Sequence, residues 1–213
     1  PDFAYEIIVH DDASTDGTVD IIRKYAEKYP EKIIPIFEEE NQYRKAGLGC
    51  TKEKIYNKIS GKYIALCDGD DYWSDDMKLQ KQYDALKNHP ECSICVHRVG
   101  IINEGRTTEE TFPLDGSLSR VVKKEEILDQ IWFEKIYFPF ATSSYFFQKI
   151  IYEDFYKADF DMNGDAQYML FAPLHGDFYY INDIMGFYRR NALGSYNRTA
   201  KYSKKEDFIK KRS

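Results

Sequence analysis

Apolar and polar positions along the chain alternate between two periods. Residues 5–10 (Tyr-Glu-Ile-Ile-Val-His) read as a strand. A polar turn rich in capping residues, Asp11-Asp12-Ala13-Ser14-Thr15-Asp16-Gly17, follows it. Val19, Ile22, Ala26 and Tyr29 then recur at helical spacing and predict a helix over 18–29. Asp16 or Ser14 would cap that helix and Pro30 would stop it. Residues 33–37 predict a second strand, with Pro35 marking a position near an edge. Residues 38–49 read as a polar loop, 50–59 as a weak helix ended by Gly61, and 63–67 as a buried central strand. Leu79, Tyr83 and Leu86 share one face of a helix over 75–89, with Asp75 and Asp76 at its positive end. Pro90 ends it, and 92–99 predicts the next strand.

Strand, helix, strand, helix, strand in this order predicts an α/β domain: a mostly parallel sheet flanked by helices. The pattern then changes. Residues 101–119 are polar and rich in turn formers, 123–130 look helical, and 138–147 are aromatic and partly strand. A short helix is expected over 164–174, two short strands over 177–181 and 184–188, and a charged terminal helix around Asp207.

The totals narrow the class. A length of 213 residues suits one domain, and 43% hydrophobic residues supply a substantial core. A net charge of -6 gives no reason to expect nucleic acid. The local basic run Lys204-Lys205 and Lys210-Lys211-Arg212 reads as a solvated helix end, compatible with peripheral attachment to an anionic surface. No apolar run has membrane-span length and no signal-peptide pattern is visible, so a cytoplasmic location is expected, at most at the inner face of a membrane. Cys92-Ser93-Ile94-Cys95 has redox or zinc spacing with His97 nearby, but without a second cysteine pair it reads as a buried, reduced strand. Asn197-Arg198-Thr199 fits a glycosylation pattern and is discounted on the same location.

The most informative stretch is Cys67-Asp68-Gly69-Asp70-Asp71-Tyr72-Trp73. It places three carboxylates within four residues at the end of a strand. Carboxylates this close repel unless a cation sits among them. Gly69 is expected to let the backbone turn between Asp68 and Asp70. A hard divalent cation held by one or two carboxylates takes its other ligands from substrate phosphates. A metal-diphosphate site at the carboxyl end of a sheet strand is therefore expected. An EF-hand is a poor fit, because its sixth and twelfth positions would be Trp73 and Leu79. The loop from Asp12 imitates a calcium site as far as Gly17 but carries the cation Arg23 at the twelfth position.

Three motifs together resemble the family 2 glycosyltransferases of the GT-A fold. Residues 9–18 look like the family's loop after a nucleotide-binding strand, and 61–73 like its metal-binding strand end. Asn163-Gly164-Asp165, with Tyr188-Arg189-Arg190-Asn191 and Gly194-Ser195, looks like the acceptor-side motif and its downstream closure. The resemblance implies a single GT-A-like domain over 1–213, with a Rossmann-like nucleotide-sugar-binding half over 1–99 and an acceptor half over 100–213. The strand and helix with which the family begins would lie before Pro1, so an N-terminally truncated fold is expected.

The resemblance also implies roles. Asp70, supported by Asp68, would hold Mn²⁺ or Mg²⁺. Asp71 would orient the loop. Asp12, beside Asp11, would accept a hydrogen bond from a nucleobase imide such as that of uracil. Asp165 would be the general base, with capping of its own helix as the structural alternative. Lys45, Arg44 and Arg189 would meet phosphate oxygens, with plain solvation as the alternative. Gly69 would lie against the donor, and Asn191 stands where many relatives carry His. Trp73, Trp132, Phe133, Tyr137, Phe138 and Phe140 are candidates to stack on a sugar, though most are better read as core.

The implied activity is inverting transfer of a sugar from a nucleoside-diphosphate sugar, taken as a UDP-sugar, to a saccharide or lipid-linked acceptor in surface polysaccharide or glycoconjugate synthesis. The rivals are a sugar nucleotidyltransferase, which would want a glycine-rich basic loop, and an inactive nucleotide-sugar-binding fragment.

Overall fold

The computed structural model describes residues 1–46, 52–103, 105–113, 118–132, 140–158 and 164–190. In order these form β1 (Ile7–Asp11), α1 (Thr18–Lys28), β2 (Ile33–Phe37), α2 (Gln42–Ala46), α3 (Lys52–Tyr56), β3 (Tyr63–Ala65), β4 (Tyr72–Trp73) and α4 (Lys78–Asn88). They continue with β5 (Cys92–Asn103), β6 (Arg106–Phe112), β7 (Arg120–Val122), α5 (Lys124–Trp132), β8 (Phe146–Gln148), α6 (Lys149–Lys157), α7 (Gly164–His175) and β9 (Asp177–Arg190).

The fold is α/β with helices on both faces of a central sheet. That sheet has the order β3-β8-β5-β9-β4, with β6 on β5 and β7 on β9. Its core follows from the two-residue period of strands. Ile94, Val96, Phe147, Phe178 and Tyr180 point to one face, where Ile127 of α5, Ile151 and Phe155 of α6, and Met169 and Ala172 of α7 cover them. Cys95, Phe146, Ile181 and Met185 point to the other face and meet Leu86 of α4. Phe140 packs on Phe178 and Tyr180 with ring centroids at 6.5 and 5.9 Å, so it belongs to the core. Trp132, Phe133, Tyr137, Phe138, Asn191, Gly194 and Ser195, the glycosylation pattern and the terminal helix lie outside the described residues or side chains.

Several expectations need correction. Strand directions are mixed rather than mostly parallel. Only β1–β2 and β5–β9 run parallel among the described residues. The β3–β8, β5–β8, β5–β6, β4–β9 and β7–β9 pairs are antiparallel. The strand after the second helix is short and half-buried, because only Tyr63, Ile64 and Ala65 find a partner, on β8. The polar stretch after 100 is a hairpin arm, β6, which turns at Gly105 with φ of 81° and lies mostly in solvent. The two strands expected over 177–188 are one strand. Its irregularity is a register shift, in which His97 pairs with Ile181 and Arg98 with Ile184.

β1 and β2 form a separate two-stranded sheet covered by α1, which buries none of its residues fully. Glu6 ties the start of β1 to that of β3 by accepting from Ser60 N and Oγ at 2.7 and 2.9 Å. Among the described residues no helix is long and apolar enough to cross a membrane.

This distribution predicts uneven costs of truncation. Phe147→Ala, at a site with 0% exposure, is expected to cost about 3–5 kcal/mol. Ile21→Ala, at 59% exposure, is expected to change stability by less than about 0.5 kcal/mol. Urea unfolding of the two variants measures both, and equal losses would contradict the placement of the core.

Candidate functional site

The carboxyl ends of β1 and β2 carry the first group of candidate residues. Asp11 is buried and its Oδ2 accepts from Ser14 N at 3.0 Å, closing the turn after β1. Ala13 sits in that turn at φ 60°, a left-handed conformation that costs a non-glycine residue about 1–2 kcal/mol. Asp12 reaches across to the second loop, where its two oxygens accept from Gln42 N at 2.6 Å and Tyr43 N at 3.0 Å. Those amides open α2, a helix where the sequence suggested only loop. The distant carboxylate supplies the cap that the local sequence lacks. Lys45 leaves the same short helix and pairs with Glu40 on an exposed surface. The side chain of Arg44 is outside the described set. Capping of α1 falls to Asp16, whose Oδ1 accepts from Thr18 N at 2.9 Å, while Ser14 is bound to Asp11.

The second group lies beyond β3. Leu66 N donates to Tyr145 O at 3.3 Å, and the chain then turns, with Asp71 N donating to Asp68 O at 3.0 Å. Gly69 within this turn has no left-handed φ, and a Cβ there would meet nothing within 4 Å. The turn thus does not need glycine for its backbone, contrary to expectation; glycine leaves the surface above it open. Asp68 and Gly69 are exposed, Asp70 is half-buried and Asp71 is buried.

Asp71 fixes the turn, as the sequence suggested. Its Oδ1 accepts from Arg189 N at 2.9 Å, joining the acidic turn to the end of β9. Burial raises its pKa against the lowering effect of that amide, and the neighbouring charge of Asp70 raises it further. Its Oδ2 is buried without a hydrogen-bond partner among the described atoms. The nearby Ser143 hydroxyl favours the charged form, yet Ser143 Oγ is likewise outside hydrogen-bonding geometry. β4 then pairs with β9, Tyr72 with Phe187 and Trp73 with Gly186. Gly186 is needed here, because a Cβ would sit 3.0 Å from Tyr72 O. The exposed Arg189 guanidinium lies over the Tyr72 ring, 5.4 Å from its centroid.

Among the described residues no three His, Cys, Asp or Glu side chains form a ready cage for a metal. The donor set nonetheless fits a hard cation that is completed by a ligand. Asp68 and Asp70 offer carboxylate oxygens on the open side of a turn that Asp71 anchors, and one or two such groups suffice where phosphates supply the rest.

Asp165 lies in the first turn of α7, inside the helix rather than ahead of it as a cap, and its side chain is outside the described set. The direction of α7 follows from its contacts. Near its end, Ala172 O accepts from Ser93 Oγ at the start of β5. Further back, Tyr168 meets Tyr145 with ring centroids at 6.4 Å, and Tyr145 O is the acceptor of Leu66 N. The helix therefore points its amino end toward the end of β3.

Comparison with known proteins now bears on these loops. A family model described as Glycosyl transferase family 2 matches residues 1–155. The chain belongs to that family. It is 41% identical over 112 residues to the Mycobacterium tuberculosis protein Rv1520, covering 53% of this chain and 31% of that one. It is 41% identical over 82 residues to the putative teichuronic acid biosynthesis glycosyltransferase TuaG of Bacillus subtilis, covering 38% of this chain and 30% of that one. The aligned stretch thus spans about a third of these curated relatives. Among solved structures, the fold matches a mannosyltransferase of Pyrobaculum calidifontis in complex with GDP-Man and Mn²⁺, with TM-score 0.55 and 17% identity, over 86% of this chain and 47% of that one. The fold is that of a GT-A glycosyltransferase.

Sequence reading missed the buried polar groups of α4. Lys78 and Gln82 are 1% and 0% exposed, and with Leu86 they form the buried stripe of α4. Leu79 and Tyr83, the expected inward face, are only half-buried. The i, i+4, i+8 register of Lys78, Gln82 and Leu86 was the available signal, hidden by reading polar side chains as outward. Also missed were the buried Glu38, which binds Lys54 Nζ at 2.6 Å and His10 Nε2 at 3.4 Å, and His97. Cys92 and Cys95 are free and buried, as expected for a reduced strand, and burial pushes both thiols up.

His97 is fully buried, and its Nδ1 lies 2.8 Å from Arg98 O while Nε2 has no partner among the described atoms. Burial, aided by the charge of Lys78, pulls its pKa from 6.5 to about 3. The unfolded chain therefore binds the proton first as pH falls from 6.5 toward 3, and stability drops with pH in that window. Urea unfolding across that window should lose more stability in the parental protein than in His97→Gln; identical pH slopes would contradict a neutral, buried imidazole.

Proposed function

We propose that this chain carries the donor-binding and acceptor-activating parts of an inverting glycosyltransferase that uses a UDP-sugar. The observation that carries the reading is the acidic turn. Asp71 is buried and bound to the β9 backbone, while Asp68 and Asp70 stand on the open side of the same turn. Membership of glycosyl transferase family 2 and the Mn²⁺ in the structural neighbour support a divalent cation there.

In this reading Asp68 and Asp70 would hold Mn²⁺ or Mg²⁺ against the donor's diphosphate. Such a cation, when bound, neutralises charge on the phosphate oxygens as the nucleoside diphosphate departs. Gly69 leaves room for the donor to lie on the turn. Arg189, exposed at the end of β9, and Lys45, on α2, meet phosphate oxygens as charge-assisted donors. Asp12 receives the N3–H of uracil on a lone pair left over from its bonds to Gln42 and Tyr43, and Asp11 braces the turn beneath it.

Asp165 takes the proton of the acceptor hydroxyl. That oxygen bonds to the anomeric carbon while the carbon–oxygen bond to the diphosphate breaks, its electron pair leaving with the nucleotide. Attack on the face opposite the leaving group inverts the centre. The direction of α7, whose amino end faces the end of β3, supports this role. The name of the Bacillus subtilis relative, a putative teichuronic acid biosynthesis glycosyltransferase, supports a role in polysaccharide synthesis; in this reading the acceptor is a saccharide or a lipid-linked one, met at the cytoplasmic face of a membrane.

Two variants test the assignments. Asp165→Asn should lower transfer at least 10²-fold, the lower end of what general base catalysis supplies, while UDP binding by calorimetry stays within about twofold. Asp70→Asn should abolish the gain in UDP affinity that Mn²⁺ confers. Released UDP, rather than pyrophosphate, identifies transfer over nucleotide activation. Parental turnover by Asp165→Asn would remove it as the base, and preference for GDP over UDP would overturn the donor.

A further inference from the structure

We propose that Lys78 is a positioning residue for the acidic turn. Its buried side-chain nitrogen braces Trp73, and through Trp73 it sets the height at which Asp68 and Asp70 meet a cation and diphosphate. The proposal rests on the reading of that turn as the donor site.

Lys78 is 1% exposed, a rare state for lysine. Its Nζ donates to Gln82 Oε1 at 2.7 Å and stands 4.1 Å from the centroid of the Trp73 ring. Burial pulls its pKa from 10.5 down to about 7, and among the described residues the groups that act against this are the Cys95 and Cys67 thiols rather than a carboxylate. His97 is the other titratable group that feels its charge. Burying an ammonium with so little opposite charge is costly, and an apolar side chain of similar volume would stabilise such a site at least as well. A lysine here is thus poorly explained by stability.

Its neighbours show what it holds. Trp73 Nε1 donates to Ser143 O at 2.9 Å, and Gln82 Nε2 donates to Ser144 O at 2.8 Å and to Cys95 O at 3.1 Å. The indole and the amide thus hang on adjacent carbonyls of the single 3-10 turn at Thr142–Ser144, and Lys78 joins the two. Trp73 follows Asp71 by two positions in the sequence and is pinned to β9 opposite Gly186. The acidic turn is therefore gripped from one side by Asp71 on β9 and from beneath by this bridge from α4. With Lys78 removed, one face of the indole loses its cation and the ring is free to tilt, carrying the turn with it.

The chain contains two tryptophans, so Trp132→Phe leaves Trp73 as the sole emitter. In that background Mn²⁺ with UDP should quench Trp73 emission, and electron paramagnetic resonance of free Mn²⁺ measures the same equilibrium directly. Lys78→Met should keep the unfolding midpoint at or above the parental one yet weaken Mn²⁺ binding about tenfold or more, the usual effect of removing an outer support of a metal site. Lys78→Arg, which keeps a cation against the ring, should recover part of the loss. Should Lys78→Met fold poorly, Gln82→Met removes the same bridge and should give the same loss. Parental Mn²⁺ affinity in the folded Lys78 or Gln82 variant overturns the proposal and leaves the donor site standing. Failure of the parental protein itself to bind Mn²⁺ with UDP overturns both.

Discussion

The hydrogen bond from Arg189 N to Asp71 Oδ1, at 2.9 Å, is the contact on which the site depends. It joins a turn about a third of the way along the chain to the last described strand. Three carboxylates in four residues repel one another, and a free loop would splay them. Burying Asp71 against a backbone amide removes one of the three from that contest. Pairing of Trp73 with Gly186, where a Cβ would press on Tyr72 O at 3.0 Å, keeps the same turn close to β9. What remains on the same turn is the exposed Asp68 and the half-buried Asp70.

The same principle organises the other loop. A carboxylate is spent on structure so that its neighbours can be held in place. Asp12 caps α2 from a distance of thirty residues, Asp11 closes its own turn, and Ala13 accepts a left-handed conformation between them. Strain of that kind persists only where surrounding bonds over-determine it. The strands that precede the two loops are tied at their starts, through Glu6 and Ser60. The core lies elsewhere, between β5, β8, β9 and helices α5 to α7, and supplies the stiffness that the thinly packed β1–β2 unit lacks.

Much of this was legible in the sequence. Hydrophobic period gave α1, β2, the body of α4 and the start of β5, because apolar positions recur there at helix or strand spacing. The acidic stretch stood out in the sequence because adjacent like charges demand an explanation, and the anchoring role expected of Asp71 is met by its bond to Arg189 N. Strand direction was not legible: β8 and β9 find their partners far away, and nothing local states which way they run. The helix at α2 was hidden because its cap, Asp12, arrives from another loop. Lys78 and Gln82 were hidden for a different reason. Polar side chains inside a helix stripe read as exposed until the carbonyls they satisfy, at Cys95 and Ser144, are known.

The central claim is that the acidic turn grips a cation which in turn grips a diphosphate. Crystals of this protein soaked with manganese and uridine diphosphate test it most directly, through the anomalous scattering of the metal. The account predicts a single strong peak within bonding distance of the Asp70 carboxylate, with diphosphate density against it. A peak elsewhere, or nucleotide bound with no metal at Asp70, would contradict it.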